Sequence, residues 1–140
     1  MKYTMSYEEN PKQEDIQILY DGLKDHMIAK RNLSPIRFFA YYIKDDDGKI
    51  VGGCNGDILY GCLYVGTLWV DASLRGKGYG TKLMQAAEQL GKDSKCNFMA
   101  VNTMDWEALD FYKKLGYSVE LERKGFEKDS IFYFLRKELI

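Results

Sequence analysis

The sequence is poor in the residues that mark metal-binding and disulfide-rich proteins. Its 140 residues include one histidine, His26, and three cysteines, Cys54, Cys62 and Cys96. The cysteines form no CxxC pair and have no histidine-rich partner region, so we expect no metal site. Unpaired cysteines are typical of a reducing compartment, and we predict that all three are buried as small apolar side chains. His26 falls on a predicted helix, where we expect a surface position.

A strong net charge and a long apolar run are also missing. The formal net charge is −1 at pH 7, so the chain has no strong basic field to attract a phosphate backbone, and nucleic acid is not an expected partner. Residues 1–5 contain no apolar signal segment. No later stretch approaches the roughly 18 apolar residues that a membrane span needs. We therefore predict a cytoplasmic protein with no membrane partner.

The remaining composition is that of an ordinary globular protein. Hydrophobic residues make up 46% of the chain and charged residues 29%, far from the composition of disordered segments. A chain of this length can bury a substantial core without disulfides or metal. Because there is no repeat or linker, we predict a single domain over residues 1–140. The sequence leaves open whether this domain forms a homodimer.

Local patterns predict helices and strands in a mixed order. The N-terminal residues leave room for a short strand, and the Asn-Pro-Lys-Gln segment at 10–13 predicts a helix capped by Asn10, with Gln13 closing a capping box. The Asp-Gly pair at 47–48 predicts a hairpin. The later elements are glycine-punctuated strands between 50 and 70, a helix over 79–90 ending at Gly91, a strand over 97–102, a helix capped by Asp105 and ending at Gly116, and strands over 117–123 and 131–135. This order indicates an α/β or α+β sheet with helices on its faces.

The most informative segment is a glycine loop between an apolar strand and an amphipathic helix. Gly76, Gly78 and Gly80 alternate with larger residues where the helix begins. Glycines let successive backbone N–H groups converge on a ligand, and the start of a helix adds partial positive charge. The segment therefore predicts a phosphate site. The alternative is a tight turn that only leads into a structural helix.

Two common phosphate motifs do not fit this loop. A Walker loop needs a hydroxyl residue after its Gly-Lys pair, but Gly76-Lys77 is followed by Gly78, and Asp71 stands where its first glycine should be. The dinucleotide fingerprint needs its third glycine three places after the second, whereas Gly78 and Gly80 are two apart. Both motifs are excluded.

The loop resembles the acyl-CoA loop of the GNAT superfamily. That pattern is Arg or Gln, two residues, Gly, one residue, then Gly or Ala, and Arg75, Gly78 and Gly80 match it. The resemblance is specific over residues 68–117. Its second part comprises Asn102, Ala108, Phe111-Tyr112 and Leu115-Gly116-Tyr117.

The resemblance implies a fold, an activity and a cofactor site. The implied fold is a mixed, mostly antiparallel sheet of about six to seven strands flanked by helices. The implied activity is an acyl-CoA-dependent N-acetyltransferase (EC 2.3.1) that moves acetyl from acetyl-CoA to a primary amine in a ternary complex, and no metal is implied. Tyr112 would be the general acid beside the thioester sulfur. The implied acetyl-CoA site consists of Leu68, Val70, Arg75, Gly76, Lys77, Gly78, Tyr79, Gly80, Thr81, Asn102 and Tyr112.

The chain departs from the family in two places. Asp105 stands where many members carry asparagine, and Tyr64 stands where several carry a glutamate base. An amine with a pKa of about 10.4 must lose a proton before it attacks. We predict Asp57 as the base because it lies beside a glycine between two strands; Asp71, Glu107 or a water chain are alternatives.

The sequence does not identify the acceptor, and it leaves other functions open. The chain could be a non-catalytic acyl-CoA sensor or interaction domain, or a structural domain with a coincidental glycine turn. Four aromatic residues are candidates for an acceptor pocket, although aromatics at such spacing are more often core. They are Tyr60, Tyr64, Trp69 and Trp106.

Overall fold

The computed structural model describes all 140 residues. The helices and strands are α1 (Gln13–Arg31), β1 (Arg37–Lys44), β2 (Ile50–Leu59), β3 (Cys62–Val70), α2 (Tyr79–Asp93), β4 (Phe98–Met104), α3 (Leu109–Lys114), β5 (Ser118–Arg123) and β6 (Phe132–Glu138). Two short 3₁₀ helices cover Ala72–Leu74 and Glu127–Asp129. None of the helices combines the length and apolar character that a membrane span requires.

The chain divides into two compact units, Met1–Pro35 and Ile36–Ile140, and the prediction of a single domain stays a prediction. The first unit holds α1, which has no buried residue and on which His26 is exposed, as predicted. The predicted Asn10 cap is wrong. Asn10 has a left-handed backbone, with φ 52°, and lies too far ahead of the helix, which begins at Gln13 with no side-chain cap. No strand precedes it.

The second unit is built on a six-stranded sheet with the order β1-β2-β3-β4-β6-β5. Only β3 and β4 run parallel, and the other neighbours are antiparallel. The predicted hairpin joins β1 to β2. In its turn, the Asp45 carboxylate accepts the N–H groups of Asp47 and Lys49, each at 2.9 Å, and Gly48 adopts a φ of 80°. Such local bonds explain why the Asp-Gly signal is reliable.

The core fills one face of this sheet, which α2 covers. Its fully buried side chains include Leu63, Met84, Met99, Val101 and Leu135. Cys54 and Cys96 are buried, as predicted, whereas Cys62 is only partly buried, since its side chain lies on the opposite face of β3 from Leu63.

The predicted end of α2 at Gly91 is wrong, because the helix continues to Asp93. A Cβ atom at Gly91 would lie 2.8 Å from Cδ1 of Leu139 and 3.2 Å from Sδ of Met99. This glycine therefore permits close packing of the helix rather than ending it.

The parallel pair β3–β4 is joined along only part of its length. Residues 62–65 of β3 pair with residues 98–101 of β4, and the two strands separate beyond Val65 and Val101. We call the gap beyond these two valines the β3–β4 opening. It lies next to the glycine loop because β3 runs on to Val70.

Helix α3 starts later than predicted. Thr103 is buried, and its hydroxyl oxygen accepts the N–H of Ala108 at 3.1 Å, directly ahead of Leu109. Asp105 is not the cap, since its carboxylate accepts the N–H of Ile131 at 3.2 Å. The predicted Asp105 cap is therefore wrong: this side chain links the segment before α3 to the segment before β6.

Candidate active site

A cavity of about 790 Å³ lies between the end of β3, the glycine loop and the segment leading into α3. We call it the loop cavity. Of the predicted residues on β3 and the loop, all but the exposed Lys77 line it. The lining comprises Leu68, Val70, Leu74, Arg75, Gly76, Gly78, Tyr79, Gly80, Thr81, Trp106, Glu107, Ala108 and Phe111. Its size suits a small-molecule ligand.

Hydrogen bonds within the chain hold the loop in shape. The N–H of Asp71 donates to the carbonyl of Val51 at 2.9 Å, and its carboxylate accepts the N–H of Ser73 at 3.1 Å and the Ser73 hydroxyl. These bonds to Ser73 lower the pKa of Asp71, so this carboxylate is poorly suited to take up a proton. Nε of Arg75 donates to the carbonyl of Val70 at 3.0 Å. Arg75 thus ties the loop back to β3.

Two of the loop glycines leave the approach to α2 open. Gly76 and Gly78 have φ values of 74° and 84°, in the left-handed region that favours glycine. A Cβ atom at either position would meet nothing within 4 Å. Gly78 directly precedes α2, whose first N–H groups have no partner within the helix. The loop can therefore receive an anion on backbone N–H groups.

Gly80 has a different role from the other loop glycines. A Cβ atom at this position would lie 3.3 Å from Cζ of Phe111 on α3. Gly80 therefore lets the start of α2 pack closely against α3, which forms one wall of the loop cavity.

Tyr112 is buried on α3, with 6% of its surface exposed. Its ring packs edge to face against Phe111 and Tyr117, at centroid distances of 5.2 and 5.8 Å. The hydroxyl makes no hydrogen bond within the chain, and no fully buried side-chain oxygen lacks a partner, so this oxygen is not completely enclosed. Burial, and then the charge of Glu107, raise the pKa of Tyr112 to about 12. The phenol therefore keeps its proton at neutral pH.

Three predicted residues lie apart from the loop cavity, on the other face of the sheet: Asp57, Tyr64 and Asn102. Asp57 is the register partner of Tyr64, and Nδ2 of Asn102 donates to the Tyr64 hydroxyl at 3.1 Å. The Asn102 side chain thus bridges β3 and β4 instead of lining the loop cavity. Burial raises the pKa of Asp57 above its usual range.

Among the alternative bases, Glu107 lines the loop cavity, and its carboxylate accepts the N–H of Met104 at 3.2 Å. Trp106 also lines this cavity and is 70% exposed, while Trp69 is 46% exposed, so neither is the core residue that its spacing favours. The sequence predicts Glu107 only as an alternative base and Trp106 only as an acceptor-pocket candidate, whereas both line this cavity beside the motif residues Ala108 and Phe111. Trp106 lies in the non-helical turn before α3. No helix or strand period applies there, so the sequence does not predict the direction of its side chain.

Comparison with known proteins agrees with this arrangement. The Acetyltransferase (GNAT) family matches residues 3–117. Blasticidin-S acetyltransferase of Streptomyces morookaense is 32% identical over 106 residues, which are 75% of this chain and 78% of that protein.

Solved structures share the fold. The crystal structure of an Agrobacterium tumefaciens protein has a TM-score of 0.84 at 26% identity and covers 99% of both chains. A Bacillus anthracis strain Ames protein in complex with acetyl coenzyme A has a TM-score of 0.65 at 18% identity, over 72% of this chain and 62% of that one. The predicted mixed sheet is confirmed, with six strands. By the family match and the Streptomyces relative, the chain belongs to the acetyltransferase (GNAT) family and is an acyl-CoA-dependent N-acetyltransferase.

Proposed function

We propose that the protein moves acetyl from acetyl-CoA directly to a primary amine while both substrates are bound. The observation that carries this proposal is the β3–β4 opening. The loop cavity meets it from the α2 face of the sheet, and Asp57 and Tyr64 lie on the opposite face. Donor and acceptor can then reach one another through the sheet without a covalent acyl-enzyme.

On the donor side, the open loop supports binding of the pyrophosphate of acetyl-CoA. The N–H groups at the start of α2 face space that Gly76 and Gly78 leave free. The β3 residues Leu68 and Val70 line the same cavity, and the pantetheine arm would run along them towards the opening. The acetyl group would then lie between the separated strands, where backbone N–H groups near Val70 can stabilise an oxyanion.

On the acceptor side, we propose Asp57 as the base, directly or through a water molecule. Its raised pKa makes this carboxylate a better proton acceptor than an ordinary aspartate. Once the ammonium has lost a proton to Asp57, the nitrogen lone pair attacks the thioester carbonyl and forms the C–N bond. Glu107 is the alternative base, because it lines the donor cavity.

Collapse of the tetrahedral intermediate breaks the C–S bond, and coenzyme A leaves as a thiolate. We propose that Tyr112 donates its hydroxyl proton to this sulfur, while the second proton leaves the nitrogen and passes through water back to the Tyr112 oxygen. The unbonded hydroxyl supports this role, and the pKa of Tyr112, raised to about 12, keeps the proton on the oxygen at neutral pH until the sulfur takes it.

The test is thiol release from acetyl-CoA in the presence of a panel of primary amines, with the acetylated product identified by mass spectrometry. Direct transfer would be supported by turnover of at least one amine with sequential kinetics, in which both substrates bind before coenzyme A is released. A burst of thiol release without amine would contradict it. Binding of acetyl-CoA without turnover of any amine would favour the alternative function, a non-catalytic acyl-CoA sensor.

A further inference from the structure

A slot with aromatic walls lies on the sheet face that carries Asp57. In the register of three adjacent strands, Tyr42 of β1, Gly53 of β2 and Trp69 of β3 lie side by side. Paired residues of antiparallel strands project to the same face. Two large aromatic side chains therefore flank a position that has no side chain at all. Ile50, Gly52, Cys54, Asn55 and Thr67 complete the lining.

The dimensions of this slot suit a flat ring. Adjacent strands are about 4.8 Å apart, so the backbones that carry Tyr42 and Trp69 lie about 10 Å apart, with Gly53 between them. A ring stacked between two others needs about 3.5 Å on each side. The slot is open to solvent on one side and has a volume of about 250 Å³, while a cavity of about 150 Å³ already holds benzene. One aromatic ring with a short side arm would fit.

Gly53 contributes no side chain to the slot and lets the backbone of β1 approach β2 closely. A Cβ atom at this position would lie 3.3 Å from Cδ1 of Tyr42 and 2.5 Å from the carbonyl oxygen of Tyr41. The Tyr42 ring thus stands directly beside bare backbone. Trp69 and Tyr42 are 46% and 60% exposed, so both side chains are accessible to a ligand.

The position of the slot links it to the chemistry. Trp69 lies on β3 between Leu68 and Val70, which line the loop cavity from the opposite face. Asn55 and Asp57 lie on the slot's face of β2, because their register partners on β1 are Ala40 and Phe38. A ring held against Trp69 therefore needs only a short aliphatic arm to bring an amine to the β3–β4 opening.

We infer that the acceptor is a primary amine with a flat aromatic or heteroaromatic ring, and that Tyr42 and Trp69 select it by stacking on that ring across Gly53. This inference rests on the proposed function, since it assigns the acceptor of the same site. Aromatic pairs contribute about 0.5–1.5 kcal/mol beyond the area they bury, which corresponds to a preference of up to about 10-fold for a flat ring over a puckered one.

The experiment compares 2-phenylethylamine with 2-cyclohexylethylamine, which share a carbon skeleton and an ammonium group but differ in ring planarity. Their dissociation constants are measured by calorimetry on the protein saturated with coenzyme A. The proteins are the parent, Trp69→Ala, Trp69→Phe and Phe38→Ala. Phe38 is a matched control because it lies on the same face of β1 as Tyr42 and is 63% exposed, outside the slot.

We expect the parent and Phe38→Ala to bind the phenyl amine about 10-fold more tightly than the cyclohexyl amine. In Trp69→Ala, which leaves only Tyr42 to stack on the ring, the ratio should fall to about 3-fold, and Trp69→Phe should keep most of the parent ratio. Equal binding of the two amines by the parent, no binding of either, or an unchanged ratio in Trp69→Ala would overturn the inference. Thiol release from acetyl-CoA is read separately. Turnover without a preference for flat rings removes the slot alone, whereas flat-ring binding with no turnover of any amine removes the proposed function and leaves the slot.

Discussion

The two halves of the β3–β4 pair perform different tasks although they belong to the same strands. In the paired half, Leu63 and Val65 face Met99 and Val101 in a core where each is almost wholly buried. In the separated half, Leu68, Trp69 and Val70 border cavities on both faces of the sheet. The paired half fixes the position of the separated half. Substitutions in one should therefore change folding, and substitutions in the other should change binding and catalysis.

Two tyrosines show the same contrast at the level of single hydroxyl groups. Tyr112 and Tyr117 are both buried, and their ring centroids lie 5.8 Å apart. The Tyr117 hydroxyl donates to Oε1 of Glu88 at 3.0 Å, whereas the Tyr112 hydroxyl makes no such bond. One phenol is thus committed to the fold, and the other is free to act on a ligand.

The largest effect is expected for Tyr112→Phe, which keeps the ring and deletes the hydroxyl. Turnover should fall by about 10² to 10⁴-fold, the usual contribution of a positioned acid. Binding of acetyl-CoA and the free energy of unfolding should stay near the parent values, since no hydrogen bond is lost. Steady-state thiol release and calorimetry provide the two measurements. Turnover within about threefold of the parent would fall outside the range expected for a positioned acid and would show that Tyr112 only packs against its neighbours.

The paired half is tested by Leu63→Ala. This side chain is 0% exposed, and truncating a buried leucine usually costs about 2–5 kcal/mol. Urea unfolding measures the loss. Below the melting temperature of the variant, its affinity for acetyl-CoA should match that of the parent. A loss of stability below about 1 kcal/mol would fall outside the usual range and show that the paired half is not the main support of the sheet.

Asp57→Asn tests the proposed base through its pH dependence. Turnover of the variant at neutral pH should be about 100-fold below that of the parent. The turnover of the parent should decrease at low pH as Asp57 takes up a proton, and the variant should not show this decrease. The raised pKa of Asp57 also means that the folded chain holds this proton more tightly than the unfolded chain does. The free energy of unfolding therefore decreases as the pH rises from the pKa of Asp57 in the unfolded chain, about 3.9, through its higher pKa in the folded chain.

The stability of the Asp57→Asn variant provides the matching control. Asparagine should make the protein equally stable or more stable at pH 7, with little difference below the unfolded pKa. Glu107→Gln should leave the pH profile of turnover unchanged. If Glu107→Gln removes the low-pH limb and Asp57→Asn does not, the base lies on the donor side of the opening.

Gly78→Val tests the donor loop in the separated half. In the parent, acetyl-CoA at 100 times its dissociation constant should add about 2.7 kcal/mol of stability. Valine at a φ of 84° strains the loop and fills space next to the first N–H groups of α2. Thermal unfolding with and without acetyl-CoA should show that this increment is lost while the variant still unfolds cooperatively. An unchanged increment would mean that the phosphates bind elsewhere.

The glycine loop and the hairpin could be predicted from sequence because the contacts that shape them are local. Asp45 bonds to backbone groups within four residues, and Gly78 directly precedes the helix that it opens. The predictions for Gly91 and Asp105 are wrong for the opposite reason. Gly91 packs against Leu139, and Asp105 accepts a hydrogen bond from Ile131. A single sequence does not show contacts between residues so far apart in the chain.

The aromatic slot lies beyond sequence reasoning for a related reason. Trp69 alone reads as a core residue or as a pocket residue. Its pairing with Tyr42 across Gly53 depends on the register of three strands, and β2 and β3 shift register at Asn55 and Gly56. A register slip of one residue moves a side chain to the other face. The structure was therefore needed to place both rings on the face that carries Asp57.

The smallest effect on activity is expected for Tyr117→Phe, the counterpart of Tyr112→Phe. Phenylalanine keeps the ring against Tyr112 and removes the hydroxyl that donates to Glu88, whose side chain is 14% exposed and also accepts a bond from Nζ of Lys137 at 3.0 Å. Because Lys137 still compensates the carboxylate, we expect a loss of only about 1–2 kcal/mol of unfolding free energy. Turnover should stay within about threefold of the parent, since the removed group is no positioned acid. Urea unfolding and thiol release measured on both phenylalanine variants give the comparison. If Tyr117→Phe loses turnover as severely as Tyr112→Phe, the two hydroxyl groups act as one unit, and the division between a structural and a catalytic tyrosine is wrong.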